Sequence, residues 1–374
     1  MTPFPIMNSA PGPKTFINGR EVDYFCGAGY LDLQGDRELI EALCDAAKFY
    51  GTGSATSRSG YGNNPVLLEV EQKAAQYFGT ESALYYASGY LGNAILLQGL
   101  AADYDMIFSD DQAHYSIKDG AAMSQKPVVL FRHTDPEDLA RKLKTHLKPS
   151  QVPLVISDGI FPASGVIAPL DEYDSVLTAY DNNILCVDDA HALGVIGEKG
   201  RGSLEYCQVE GERRYCSGTL SKAFGSYGGI IPGSHKLIEQ LTKHSHIPRG
   251  SSSVPTPLAA ASAKALSLLS VQPERRGQLW ENVAQAKFAF RSLGFDSIPN
   301  TPVPIICLSS DRFDLEAIHR RLLTKGIVTH YVPGSSYTSV PDNGALRVAI
   351  TSSHSEAQIN LLVKVVRSYL HGLV

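Results

Sequence analysis

Between about residues 82 and 240 the chain alternates short apolar runs with stretches of helical periodicity. The runs are 82–87, Met106–Ser109, PVVLF at 127–131, Pro153–Ser157 and NILCV at 183–187, with a brief one at Ile230–Pro232. Strand–helix alternation sustained this long specifies a mostly parallel sheet flanked by helices, with right-handed crossovers aligning the strand ends on one rim. NILCV is almost continuously apolar, which suits the centre of such a sheet, buried on both faces. A parallel sheet takes its ligands beyond the carboxyl ends of its strands. The residues just after each run are therefore the ones that inform about chemistry.

Ser88-Gly89-Tyr90-Leu91-Gly92-Asn93 follows the first run and feeds a helix to about Leu100. A small-residue turn opening a helix is a seat for phosphate, because unsatisfied N–H groups and the positive dipole end point out of it. Tyr90 is either a contact to whatever sits there or ordinary packing. After the second run come Asp110, Asp111 and His114, a crevice histidine or the cap of a surface turn. Asp188-Asp189-Ala190-His191 follows NILCV. A carboxylate there suits a protonated pyridine nitrogen; two acids and a histidine also suit a metal, but no clear third or fourth ligand is near in sequence. Tyr215–Gly229, YCSGTLSKAFGSYGG, sets Lys222 among Ser217, Gly218, Thr219, Ser221, Gly225 and Ser226. A held, partly desolvated amine forms a Schiff base with a carbonyl cofactor, and nearby hydroxyls and N–H groups hold a phosphate. That composition points to pyridoxal 5'-phosphate (PLP); a surface lysine in a glycine-rich turn is the competing reading. Ser88, His114, Asp188 and Lys222, distant in sequence, are expected to converge on the rim.

The flanks read differently. Residues 1–50 form an irregular arm and a small segment, 51–255 the large α/β domain, and 256–374 connecting helices with a smaller α+β domain. GTGSATSRSGYGNN at 51–64 is a loop, and Pro65 opens a helix. SHIPRGSSSVPTPL at 245–258 reads as a loop placing Thr256 near a phosphate, its own or a partner's, ahead of a helix across Ala259–Leu269. Ile327–Tyr331 and Leu346–Ile350 read as two strands of a smaller sheet. Arg347 lies in the second, as a clamp for a substrate carboxylate or as half of an internal salt bridge.

The 374 residues, 43% hydrophobic, suffice for two domains. A net charge of −5 offers no basic surface for nucleic acid or anionic membrane. Six cysteines without CxxC spacing fit core or incidental thiols in a reducing compartment. No apolar segment follows a basic start and no run reaches the roughly 18 apolar residues of a membrane span, so a soluble cytoplasmic protein is expected.

Several motifs in this order resemble the alpha-oxoamine synthases, PLP-dependent enzymes of fold type I. They are GTGSATSRSG at 51–60, SGYLGN at 88–93, DDQAHYS at 110–116, APL at 168–170, VDDAHALGVIGEKGRG at 187–202, TLSKAFGSYGG at 219–229, and LRVAI followed by His354. The resemblance spans nearly the whole chain. It implies a mostly parallel central sheet with a smaller C-terminal α+β domain, working as a homodimer with active sites at the interface. It implies decarboxylative Claisen condensation of a small α-amino acid with an acyl-CoA or acyl carrier protein thioester, giving an α-amino ketone, CO2 and free thiol. The alternative on the same fold is an aminotransferase, an aldolase or an amino-acid decarboxylase. Lys222 resembles the Schiff-base lysine and base, Asp188 the partner of the pyridine nitrogen, and His191 the contact to the phenolic oxygen. His114 resembles the ring-stacking residue; Ser88, Gly89, Tyr90 and Thr219 the phosphate side; Thr256 the second subunit's contact; and Arg347 the carboxylate clamp. The chain departs from the pattern at Pro162, where the family has a cofactor-contacting serine, and at Pro65, where it has histidine. It departs again at Ala192, where the family has glycine, and in Gly29-Tyr30-Leu31-Asp32-Leu33, which stands for Asn-Tyr-Leu-Gly-Leu.

Overall fold

The computed structural model describes residues 4–334 and 337–372, so the first three residues of the expected arm lie outside it. The chain divides into two compact units. One comprises Arg37–Phe161 and Ile167–Val271; the other comprises the chain up to Asp36, Pro162–Val166 and the chain from Gln272.

The first unit is built on a seven-stranded sheet in the order Ser82–Tyr86, Gly229–Gly233, Arg214–Thr219, Ile184–Asp188, Pro153–Asp158, Met106–Asp110, Val128–Phe131. The last five run parallel; Gly229–Gly233 is antiparallel to both neighbours. Ile184–Asp188 is buried throughout and central, as its apolar composition requires. Ile107, Leu154, Ile156, Ile184 and Cys186 pack with Ile95, Leu96 and Ile117 in one core cluster, all fully buried. Truncating one of them, as in Ile156→Ala, costs roughly 2–5 kcal/mol. The helix Pro65–Phe78 begins where the sequence places it: Asn64 caps it by accepting the Val66 and Leu67 N–H groups at 3.1 Å.

Sequence and structure differ at three places. Part of the arm is regular: Lys14–Ile17 and Arg20–Tyr24 form a hairpin across Asn18-Gly19, whose φ values of 50° and 75° are those of a primed turn, and Met7 bridges to Ile17. The expected strand Ile327–Tyr331 is two strands. Ile327–Val328 pairs with Asp23 and Tyr24, and His330–Val332 pairs with Ala345–Ala349 in a second sheet. The chain changes sheet at Thr329, buried and hydrogen-bonded to His319 Nδ1 at 3.1 Å. Finally, the helix after the proline-rich loop starts at Thr256, with Pro257 in its first turn, where a missing N–H is harmless.

One buried charge in the second unit yields a testable pH dependence. Lys287 is 1% exposed, and its Nζ donates to Thr301 O at 2.7 Å and Thr301 Oγ1 at 3.0 Å. Burial, with Arg291 nearby, pushes the amine down from 10.5 to about 7. The folded state thus sheds this proton first as pH rises. Between those values the unfolded chain binds one more proton, and stability climbs with pH; below them the contribution is flat at its lowest. Lys287→Met is expected to flatten that part of the Tm–pH curve. Parallel curves for the two proteins would refute the assignment.

Candidate active site

Asp158, Asp188 and Thr219 end three adjacent parallel strands. Asp188 is 6% exposed, yet its carboxylate has three hydrogen-bond donors. Oδ2 accepts from Asn93 Nδ2 at 2.6 Å and Ser116 Oγ at 3.1 Å, and Oδ1 accepts from Ala190 N–H at 3.0 Å. Asn93 and Ser116 lie on different helices, Gly92–Gly99 and Tyr115–Ser124. These approach at backbone distance because residue 120 is glycine: a Cβ there would sit 2.9 Å from Ala94 N. The absent side chain lets Asn93 Nδ2 also reach Ser116 Oγ, at 3.1 Å.

His114 caps the Tyr115–Ser124 helix. Its ring Nδ1 lies 2.7 Å from Ser116 Oγ, and its backbone N–H donates to Asp158 Oδ2 at 2.8 Å. Tyr90 meets the ring edge-on, centroids 5.9 Å apart, while its hydroxyl bonds Asp119 at 2.5 Å. Burial pushes the His114 imidazole below its ordinary 6.5, with Asp188 pulling the other way.

Lys222, half-buried, follows the strand Arg214–Thr219 and places Nζ 2.8 Å from His191 Nε2. His191 is set by the turn after Asp188, and Asp189 anchors that turn by accepting the Ser203 N–H at 2.9 Å and the Ser203 hydroxyl. Burial pushes the Asp189 carboxyl up to about 7.

On the phosphate side, Ser88 caps the turn Gly89–Leu91 by accepting Tyr90 N–H at 3.4 Å. Thr219 Oγ1 donates to Gly228 O at 3.0 Å and lies 2.8 Å from Ser221 Oγ. A Cβ at Gly89 would come within 2.6 Å of Thr219 Cβ, so only glycine lets the helix-opening turn and these hydroxyls close to this distance. With the amine of Lys222 and the carboxylate of Asp188, this cradle fits a phosphorylated pyridine aldehyde.

The sequence-derived residues Ser88, Gly89, Tyr90, His114, Asp188, His191, Thr219 and Lys222 thus lie in one unit, tied by the contacts above. Thr256 belongs to the same unit, but its side chain bonds elsewhere: it is buried, and its hydroxyl accepts from Asn64 Nδ2 at 3.0 Å. Arg347 lies in the second unit. Its Nε donates to Pro162 O at 2.9 Å and its fork to Gly27 O at 3.2 Å; among the described residues no carboxylate pairs with it. The serine-to-proline departure therefore leaves a backbone acceptor for Arg347 at that position. Three residues that hold the site were not singled out from sequence: Asn93, Ser116 and Asp158. The first two stood inside motifs already noted, and Asp158, like Asp188, is an acid ending a buried strand.

A parallel sheet carrying a lysine, an aspartate and a glycine-turn cradle at its carboxyl rim defines a fold type I PLP-dependent enzyme. The family model for aminotransferase class I and II matches residues 25–366. The chain is 34% identical to 8-amino-7-oxononanoate synthase of Thermoanaerobacter pseudethanolicus over 361 residues, 96% of this chain and 90% of that protein. With 8-amino-7-oxononanoate synthase 2 of Bacillus subtilis it shares 34% over 367 residues, 97% and 92% of the two chains. Serine palmitoyltransferase of Sphingomonas wittichii superposes with a TM-score of 0.91 at 27% identity, over 99% of this chain and 93% of that one. The S. paucimobilis enzyme, solved with a bound PLP–myriocin aldimine, gives 0.90 at 26%, covering 99% and 93%. The chain belongs to the alpha-oxoamine synthases within the class I and II aminotransferases. It is a PLP-dependent acyltransferase of the decarboxylative Claisen type.

Proposed function

We propose that the chain joins a small α-amino acid to an acyl-CoA or acyl carrier protein thioester, releasing an α-amino ketone, CO2 and free thiol, as a cytoplasmic homodimer. The observation that carries this reading is the 2.8 Å Lys222–His191 pair on the same rim as a buried Asp188 with three donors. Bound PLP supplies an electron sink that makes the α-carbon acidic. Lys222 anchors the cofactor and, once freed, takes the α-proton. His191 keeps its Nε2 lone pair toward Lys222, orienting the amine, and contacts the phenolic oxygen. Asp188 holds the proton on the ring nitrogen, and His114 packs on the ring. Ser88, Gly89, Tyr90 and Thr219 hold the phosphate. The α-carbon would form a bond to the acyl carbon as the thioester C–S bond breaks and the thiolate leaves; the carboxylate would depart as CO2, and Lys222 would return its proton to the α-carbon. The homodimer reading is supported by apolar side chains left in water on the helix Arg37–Tyr50 and in the loop that follows it: Phe49 is 81% exposed and Tyr61 100%. Among the described residues no helix is long and apolar enough to cross a membrane.

Mass spectrometry of products from mixed amino acids and acyl thioesters tests the reaction. Amino ketone and free thiol should form in equal amounts; a keto acid made without thioester would assign an aminotransferase instead. Arg347 is the proposed ligand of the substrate carboxylate. Arg347→Ala is expected to raise KM for the amino acid about 10- to 100-fold, the value of a charge-assisted hydrogen-bonded pair. Lysine should restore little of it, lacking the planar fork. An unchanged KM would remove Arg347 from the site.

A further inference from the structure

We propose that Asp158 holds a proton and is a positioning residue: it orients His114 and leaves Asp188 the one carboxylate charge of the pair. This rests on the roles of His114 and Asp188 proposed above.

Asp158 and Asp188 are register partners on neighbouring parallel strands. Their side chains therefore leave the sheet on the same face, from backbones about 4.8 Å apart. They are 2% and 6% exposed. Two carboxylates this close and this dry do not both ionise; their surroundings decide which keeps the proton. The donors that stabilise a negative charge converge on Asp188, from Asn93, Ser116 and Ala190. Among the described residues the Asp158 carboxyl accepts one hydrogen bond, from the His114 backbone N–H at 2.8 Å, and the carbonyl oxygen of an un-ionised acid accepts that bond as well.

The other charged groups near it point the same way. Asp110, from the strand Met106–Asp110, is a third acid and has its own donors: Gln112 N and Thr134 N at 2.9 Å, and His133 Nδ1 at 3.0 Å. Lys222 is the opposing cation, engaged with His191. Burial first, then Asp188, pushes the Asp158 carboxyl well above its ordinary range; Asp110 adds to this, and the His114 N–H and Lys222 offset only part. An un-ionised Asp158 fixes the backbone at the helix cap from which the His114 ring projects. It does so without a second negative charge that would compete with Asp188 for the proton on the ring nitrogen.

The test is infrared difference spectroscopy on apoprotein and PLP-loaded enzyme, comparing wild type, Asp158→Asn and Asp158→Leu, together with kcat/KM against pH. The expected result is a carbonyl band of an un-ionised carboxylic acid at neutral pH that Asp158→Asn removes. The amide keeps an acceptor for His114 N–H, so this variant should retain the position of the acid limb and of the cofactor's visible band. Asp158→Leu strands the N–H and should lower kcat/KM about tenfold, the value of one hydrogen bond, with weaker PLP binding. Absence of an Asp158-dependent acid band overturns the proposal, as does an acid limb displaced in Asp158→Asn. The apoprotein band answers for Asp158 alone. An Asp188→Asn enzyme with an unaltered cofactor spectrum would instead sink the ring-nitrogen assignment, and the functional half of this proposal with it.

Discussion

Lys222→Ala is expected to lower kcat by at least about 10⁴-fold, because one substitution removes both the covalent anchor and the general base. The protein should still fold. Lys222 is half-buried in a turn beyond the strand Arg214–Thr219, and its amine bonds an imidazole rather than the core. The variant should bind PLP through the phosphate cradle and Asp188 but lose the visible band of a lysine Schiff base. Borohydride reduction should then mark no peptide at 222, whereas in the wild type it marks that peptide alone. A small primary amine added to the solution should recover part of the lost proton transfer, which arginine at 222 cannot, since guanidinium does not release its proton near neutral pH. Turnover by the alanine variant at more than a few per cent of wild type, in the absence of added amine, would transfer the base role to another residue.

The parts of the site read most easily in the sequence are those whose position follows from one strand end. Asp188 ends an apolar run, and Lys222 sits in a turn rich in glycine and serine; either is visible without knowing any neighbour. Asn93 and Ser116 are different. Each is an ordinary polar residue inside a helix until the Gly120 approach sets the two side by side over Asp188. That is a fact of packing between helices some 23 positions apart, with no periodicity to announce it. Asp158 was hidden by a boundary: the apolar run stops at Ser157, but the strand continues one residue further, and that residue is the register partner of Asp188. The split at Thr329 was illegible for a similar reason. Ile327–Tyr331 has uniform strand character, and which sheet each half joins depends on Asp23, Tyr24 and Arg347, far away in the chain. The sequence around Thr256 reads as a loop because proline clusters look like breakers, although in a first turn they are not.

Asp188→Ala should lower kcat about 10²–10³-fold, the usual effect of deleting a preorganised charge aimed at a reacting system. The expected loss is in kcat more than in KM for either substrate, because the charge acts on the ring nitrogen, away from both binding ends. Asparagine should be no better. Asn93 Nδ2 and Ala190 N–H both donate to this side chain, on different oxygens, and an amide offers one oxygen for the two. One donor would face an NH2 group in a buried site, costing about 1–3 kcal/mol of stability on top of the lost charge. Asp188→Glu retains the charge but moves it by a methylene, and should fall between wild type and alanine. A PLP analogue methylated on the ring nitrogen carries the positive charge permanently. In Asp188→Ala, where the shortened side chain leaves room for the methyl group, it should restore turnover toward wild type; in the wild-type enzyme the carboxylate should exclude it. If the analogue fails in the alanine variant while still binding there, the charge on the ring nitrogen is not what Asp188 provides, and its part in the reaction reduces to holding Asn93 and Ser116 in place.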